Sequence, residues 1–342
     1  MPPSLLDFRS DTVTRPTPAM RRAMCEAEVG DDVFGDDPTV IRLQERVAEL
    51  LGKERALYVP SGTMANQIAV NCHTSPGDEI YCHIGAHVLN YEGGALAMLS
   101  GVVPATIEGI RGSFSAADVE PRLRPTDHHF APSRLLWVEN SHNRSGGTIF
   151  PQQNVAGLRD LADRKGLAMH LDGARLWNVS VATGLSEKEL AAKFDTVSCC
   201  LSKGLGCPVG SLVVGPAGFI DQAHRARKRF GGGMRQAGIL AAAGLYALDN
   251  NRARLADDQL RAMRIALAVA ELKAFTIDLD SVQTNIVIFD AAPRQGVEVA
   301  AELKEQGLLV TSFGTRLRMV CHLDVDDAAV DKAIEILRKN FN

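Results

Sequence analysis

Lys203 stands where an amine could do chemistry. It follows an apolar, β-branched run, Asp195-Thr-Val-Ser-Cys-Cys-Leu201, and a loop broken by Gly and Pro separates it from Val209-Gly-Ser-Leu-Val-Val214, where the strand pattern resumes. A lysine between two apolar strands has no solvated helical face. Burial moves its amine toward the neutral, nucleophilic form. Such an amine suits a Schiff base with a carbonyl, and pyridoxal phosphate is the commonest partner. The plainer reading is a strand-end lysine reaching up to water. Upstream, Gly166-Leu-Ala-Met-His-Leu-Asp172 is another apolar strand, and it ends in a carboxylate. The cofactor needs a carboxylate to hold its ring nitrogen protonated. Asp172 and Lys203 could meet across the carboxyl ends of neighbouring parallel strands.

A phosphorylated cofactor also needs an anion site. Ser61-Gly62-Thr63 turns the strand Ala56–Pro60 into a helix from Met64 to about His73. A small hydroxylated turn at a helix start offers free backbone N–H groups, two hydroxyls and the positive end of the dipole. Alone it reads equally as a plain N-cap. Two metal readings are weaker. Cys72-His73, Cys82-His83 and His87 lie close in sequence, but a predicted strand interrupts the spacing that zinc favours. The four aspartates of Gly30–Pro38 lack the ligand order of an EF-hand, and Asp37 before Pro38 reads as a helix cap. No metal is assigned.

The elements that must position these residues follow a regular rhythm. A polar, Pro-rich arm over residues 5–18 leads to a first helix, and a second spans about Thr39–Leu51. From Ala56 to Val214, strands alternate with helices, and the chemically interesting loops follow the strands: His87, Tyr91 and Glu92-Gly-Gly94 after Glu79–Cys82, and Asn140–Gly147 after Arg134–Glu139. This predicts an α/β fold, a mostly parallel sheet covered by helices on both faces, with ligands at the carboxyl strand ends. A long helical stretch, about Gln236–Ala274 with a break near Asn250, precedes strands at Thr284–Phe289 and Leu317–Val320 and a last helix from Asp326. The chain thus divides into an arm and large domain over 1–249 and a small α+β domain over 250–342.

The totals are those of an ordinary soluble globular protein. The chain has 342 residues, 46% hydrophobic and 23% charged, with a formal net charge of −4, which gives no reason to expect nucleic acid or anionic membrane as a partner. Its apolar stretches fall short of a membrane span, and its start shows no basic region followed by an apolar run. A cytoplasmic protein is expected, its seven cysteines reduced.

Taken together, Phe8-Arg-Ser-Asp-Thr-Val-Thr14, Val29-Gly-Asp-Asp-Val-Phe-Gly-Asp-Asp-Pro38, Ser61-Gly-Thr63, Glu139-Asn-Ser-His-Asn143, His170-Leu-Asp-Gly-Ala-Arg175, Leu201-Ser-Lys-Gly-Leu205 and Gly231-Gly-Gly-Met-Arg-Gln-Ala-Gly238 resemble the low-specificity L-threonine aldolases nearly end to end. The resemblance implies a fold-type I pyridoxal-phosphate enzyme, a homo-oligomer (usually a tetramer) whose active sites are completed by a neighbouring subunit. It implies that Lys203 carries the cofactor, Asp172 pairs with the ring nitrogen, His87 stacks on the ring, and Ser61, Gly62 and Thr63 cup the phosphate. Ser10, Arg175 and Arg318 match positions that grip the substrate carboxylate, whose two oxygens suit a guanidinium fork. Lys228 and Arg235 match positions that reach a neighbour's phosphate, although Lys228 reads equally as part of a solvated basic helix face. Tyr91 matches an aromatic position near the site, and Phe34 departs from the family, where a tyrosine is common. His87 and His142 are the candidates to receive a β-hydroxyl proton, unless His142 merely caps its loop.

The implied reaction is cleavage of L-threonine or L-allo-threonine to glycine and acetaldehyde, with selection at Cα and little at Cβ. The alternatives are a bulkier 3-hydroxy amino acid of the phenylserine type, β-elimination at the same site, or a cofactor-carrying regulator that has lost catalysis. The full set of Lys203, Asp172 and both arginines speaks against the last.

Overall fold

The computed structural model describes residues 5–341. After β1 (Leu6–Asp7), seven strands build the central sheet: β2 (Arg55–Val59), β3 (Glu79–His83), β4 (Val103–Ile107), β5 (Ser133–Glu139), β6 (Ala168–Gly173), β7 (Thr196–Cys200) and β8 (Ser211–Gly215). Their order is β2-β8-β7-β6-β5-β3-β4. All run parallel except β8, which is antiparallel to both β2 and β7. The connection from β7 to β8 holds no helix and is too short for a crossover, so the chain must turn back on itself. That turn carries Lys203.

Alternate residues of each strand serve opposite faces, as the pleat requires. In β2, Ala56 and Tyr58 join one hydrophobic cluster and Leu57 and Val59 another. Helices Pro38–Leu51, Gln152–Lys165 and Gly238–Asn250 cover the first face; Gly62–His73 and Ala217–Arg229 cover the second. Asp37 begins the first of these as foreseen, its carboxylate accepting from the backbone N–H groups of Thr39 and Val40. The edge strand β4 is not legible as a strand in the sequence. Pro104 interrupts its pattern, and proline is tolerated here because the edge leaves one ladder unmade.

Strands β9 (Ile286–Asp290), β10 (Leu308–Leu309), β11 (Thr311–Phe313) and β12 (Arg316–Val320) belong to the C-terminal part, where β11, β12 and β9 form an antiparallel sheet. Helices Leu255–Ala270, Gly296–Glu305 and Asp327–Phe341 pack on it around Val287, Phe289, Leu317 and Met319. The N-terminal arm departs from expectation. Its polar composition predicts no core element, yet β1 pairs in parallel with β10, and Phe8 is fully buried in this C-terminal cluster. One apolar ring and a few backbone hydrogen bonds suffice to dock it: Val320 N–H donates to Phe8 O at 2.9 Å, and His322 Nε2 lies 2.7 Å from Asp7 O. Among the described residues no helix is long and apolar enough to cross a membrane.

Candidate active site

The carboxyl ends of β5, β6 and β7 place Glu139, Asp172 and the loop to Lys203 side by side, since Glu139 and Asp172 are register partners and Asp172 pairs with Ser198. Above them opens a cleft of about 340 Å³. Ser10, His87, Tyr91, Arg175, Lys203 and Arg318 all line it, so six of the residues singled out in the sequence converge from the arm, the large sheet and β12.

Asp172 is buried beneath this cleft. Its oxygens accept from Asn66 Nδ2 at 2.9 Å and from the backbone N–H of Ala174 at 3.1 Å, both neutral donors. Burial, reinforced by the charge of Glu139, pushes its carboxyl up to about 6, although His87 and Lys203 pull the other way. A buried carboxylate served by neutral donors is suited to a cationic N–H, which is what a protonated pyridine presents.

His87 is held by two further carboxylates. Its backbone N–H donates to Glu139 Oε2 at 2.6 Å, and its Nδ1 lies 2.8 Å from Glu92 Oε1. Burial alone would lower its pKa, but the Glu92 hydrogen bond and the charges of Asp172, Glu92 and Glu139 raise it. With Nδ1 engaged, Nε2 is the nitrogen left to exchange protons. The ring lies 5.5 Å from that of Tyr91.

The two arginines differ in what they have to spare. Arg175 is forked onto buried Asp11, with Nε and Nη2 at 2.8 and 2.7 Å from its two oxygens. Burial disfavours the Asp11 charge, but Arg175 more than offsets this and holds the carboxyl well below the usual range. Arg318 donates from Nη1 to Asn143 Oδ1 at 3.1 Å and from Nη2 to Arg9 O at 3.2 Å, while its Nε is buried without a partner among the described residues. Asn143 Oδ1 also accepts from Arg175 Nη1, at 3.3 Å, and so ties the two guanidiniums together. An orphaned buried donor on an arginine that has no carboxylate partner among the described residues fits a carboxylate ligand.

The remaining candidates lie elsewhere. Ser61 caps helix Gly62–His73 by accepting from Met64 N–H, and Ser61 and Thr63 are exposed. A Cβ on Gly62 would sit 2.7 Å from Cys200 Sγ, so a larger residue would force that side chain to shift, and buried Ser211 Oγ beside it has no partner among the described residues. Lys228 and Arg235 are exposed and do not line the Lys203 cleft; Arg235 pairs with Asp31 at 3.0 Å. Phe34, in the same loop as Asp31, is 76% exposed. His142 is not brought to the cleft. It is buried with both ring nitrogens unpartnered, its ring 4.6 Å from that of His83, and burial lowers its pKa to about 4.

Sequence reasoning missed the residues that support these groups from beneath. Asn66 and Gln67 donate to Glu92 at 2.8 and 2.6 Å, and Asn66 Oδ1 accepts from Ser198 at 2.7 Å. The available signal was two adjacent amides inside the otherwise apolar face of helix Gly62–His73. Asp11 belongs to the arm motif Phe8–Thr14, but nothing in its spacing tells that it faces Arg175.

A lysine turn after β7 and a buried strand-end carboxylate on this sheet topology define the class: the fold is that of the fold-type I pyridoxal-phosphate enzymes. The chain belongs to the Beta-eliminating lyase family, which it matches over residues 7–292. It is 41% identical to the probable low-specificity L-threonine aldolase 2 of Arabidopsis thaliana, over 98% of this chain and 97% of that protein. Against the low specificity L-threonine aldolase of Escherichia coli strain K12 the identity is 42%, over 94% and 95% of the two chains. The solved structure of Leishmania major threonine aldolase superposes with a TM-score of 0.82 at 19% identity, covering 97% of this chain and 98% of that one.

Proposed function

We propose that this chain is a pyridoxal-phosphate-dependent carbon–carbon lyase that cleaves L-threonine and L-allo-threonine to glycine and acetaldehyde. The observation that carries the reading is the cleft itself: Lys203 and the unsatisfied Arg318 line one cavity above the buried Asp172. The near full-length similarity to proteins named low-specificity L-threonine aldolases supports the same reaction.

Lys203 would hold the cofactor covalently, Asp172 its ring nitrogen, and Ser61, Gly62 and Thr63 its phosphate. When bound, pyridoxal phosphate supplies an aldehyde for amines and a ring that accepts the electron pair of a breaking bond. Everything else is done by side chains. Arg318 takes the substrate carboxylate, with Arg175 contributing the single nitrogen that Asp11 leaves free and Ser10 closing from the arm. Asn143 keeps the two guanidiniums in register. His87 receives the β-hydroxyl proton at Nε2, with buried Glu92 stabilising the resulting imidazolium. His142 is too enclosed to share that task, so proton transfer rests on His87.

The exposure of Ser61, Thr63, Lys228 and Arg235 supports an assembly in which a neighbouring copy completes the phosphate site, which we take to be a homotetramer. Seven free cysteines fit a cytoplasmic setting. The helix break after Asn250 supports dividing the chain into units 1–249 and 250–342. The Beta-eliminating lyase match makes β-elimination the second reading. Purified holoenzyme supplied with L-threonine should release glycine and acetaldehyde in equal amounts. Pyruvate or another 2-oxo acid with ammonia, and no glycine, would move the assignment to β-elimination.

A further inference from the structure

The Lys203 cleft carries more positive charge than a simple β-hydroxy amino acid uses. Three guanidiniums line it, those of Arg144, Arg175 and Arg318. Arg175 is neutralised by Asp11, and Arg318 is the partner for the α-carboxylate. Arg144 is left over. It lies in the turn Asn143–Ser145, is exposed, and donates from Nη1 to the Tyr91 hydroxyl at 3.2 Å; no carboxylate pairs with it among the described residues. Because the Tyr91 ring lies against His87, this guanidinium flanks the group that handles the β-hydroxyl, whereas Asn143 gathers the other two guanidiniums for the α-carboxylate.

Arg144 also lines a second cleft, of about 480 Å³, that adjoins the first. The other arginines there are matched with acids. Arg111 is forked onto Asp278 at 2.8 and 2.8 Å, and Arg316 lies 3.7 Å from Asp290. An unmatched cation at the junction of two clefts has space beside it for a substrate's side chain and chemistry suited to an anion.

We propose that Arg144 is a specificity residue that binds a carboxylate on the β side of the substrate, so that the enzyme cleaves β-hydroxy amino acids with an acidic side chain as well as threonine. This rests on the aldol-cleavage reading above. For 3-hydroxyaspartate the step balances without a co-reactant. The Cα–Cβ bond breaks, the hydroxyl proton passes to His87, Cα takes up a proton, and the products are glycine and glyoxylate.

The test compares holoenzyme of wild type, Arg144→Ala and Arg144→Lys on L-threonine and on the 3-hydroxyaspartate diastereomers, reading glycine formation. Wild type should cleave both substrates. The ratio of kcat/KM for hydroxyaspartate to that for threonine should fall about tenfold or more in Arg144→Ala, the loss expected for one charge-assisted hydrogen bond. Arg144→Lys should keep most of the ratio. Added salt should depress it in wild type more than in Arg144→Ala. Cleavage of threonine without cleavage of hydroxyaspartate overturns the proposal and leaves the aldolase reading standing. So does an unchanged ratio in Arg144→Ala, which would mean that Arg144 serves both substrates alike. Failure of wild type to cleave threonine overturns the aldolase reading and this inference with it.

Discussion

Replacing Asp172 by Asn should spare the cofactor-free protein a loss of stability as pH rises and leave the holoenzyme nearly inactive. In the cofactor-free protein, burial lifts the Asp172 carboxyl from its ordinary 3.8 to about 6. A folded-state pKa above the unfolded value means that the native state binds the proton more tightly. The stability this lends is complete below about pH 4 and is lost as pH rises through about 6. The loss above that range is on the order of 3 kcal/mol, since each tenfold difference in proton affinity between the folded and unfolded chains corresponds to about 1.4 kcal/mol. An amide never ionises and escapes it, although its NH2 must face either Asn66 Nδ2 or the Ala174 N–H, which costs about 1–3 kcal/mol at every pH. Between pH 4 and pH 8 the difference in stability between cofactor-free Asp172→Asn and wild type should therefore shift in the variant's favour by on the order of 3 kcal/mol. Saturating pyridoxal phosphate should close or reverse the gap, because a ring cation restores the carboxylate's partner. Catalysis should move the opposite way. Losing about 3 kcal/mol of transition-state stabilisation costs over a hundredfold in rate. Thermal melts across pH with and without cofactor, followed by glycine release, provide the assay. A melting difference between the two cofactor-free proteins that stays the same from pH 4 to pH 8, or turnover of Asp172→Asn within tenfold of wild type with cofactor bound, would refute this role for the carboxylate.

Lys203→Ala should abolish the borohydride-reducible adduct on its own peptide, and an adduct found at Lys53, Lys165 or Lys228 would overturn the assignment of the attachment point. Arg318→Leu should weaken glycine binding roughly tenfold to a hundredfold, the range for removing a hydrogen-bonded charge partner, with a smaller effect on kcat; unchanged glycine affinity would place Arg318 outside the carboxylate site. Glu92→Gln removes a charge and hydrogen bond that raise the His87 pKa, so the acidic limb of the pH–kcat/KM profile should move to lower pH. A limb that stays in place would show that His87 is not the titrating base.

What the sequence made legible was the set of groups whose chemistry forces their surroundings. A lysine between apolar strands, an aspartate closing an apolar strand and a Ser-Gly-Thr turn are local patterns, and each lies within one element or its end. The fold followed for the same reason, since alternation of strand and helix is written in hydrophobic period. What stayed hidden depends on partners distant in the chain. Arg175 and Asp11 are 164 residues apart, and only the docking of the arm by Phe8 brings them together. That pairing changes the division of labour: the arginine nearest the Asp172 motif is mostly spent on structure, and the one in β12 keeps a donor without a partner among the described residues. His142 shows the converse. Its place after a strand end makes it a candidate base, but loop 109–112 closes over it, and a Cβ at Gly112 would lie 2.2 Å from its Cγ. Burial holds its imidazole neutral at ordinary pH and keeps it out of the lining of the Lys203 cleft. Tolerance at Cβ, if initial rates on the two diastereomers show it, would then not need two imidazoles taking the hydroxyl in opposite directions. On the proposed reading it would rest on the histidine that lines the cleft, His87, reaching both diastereomers directly or through water.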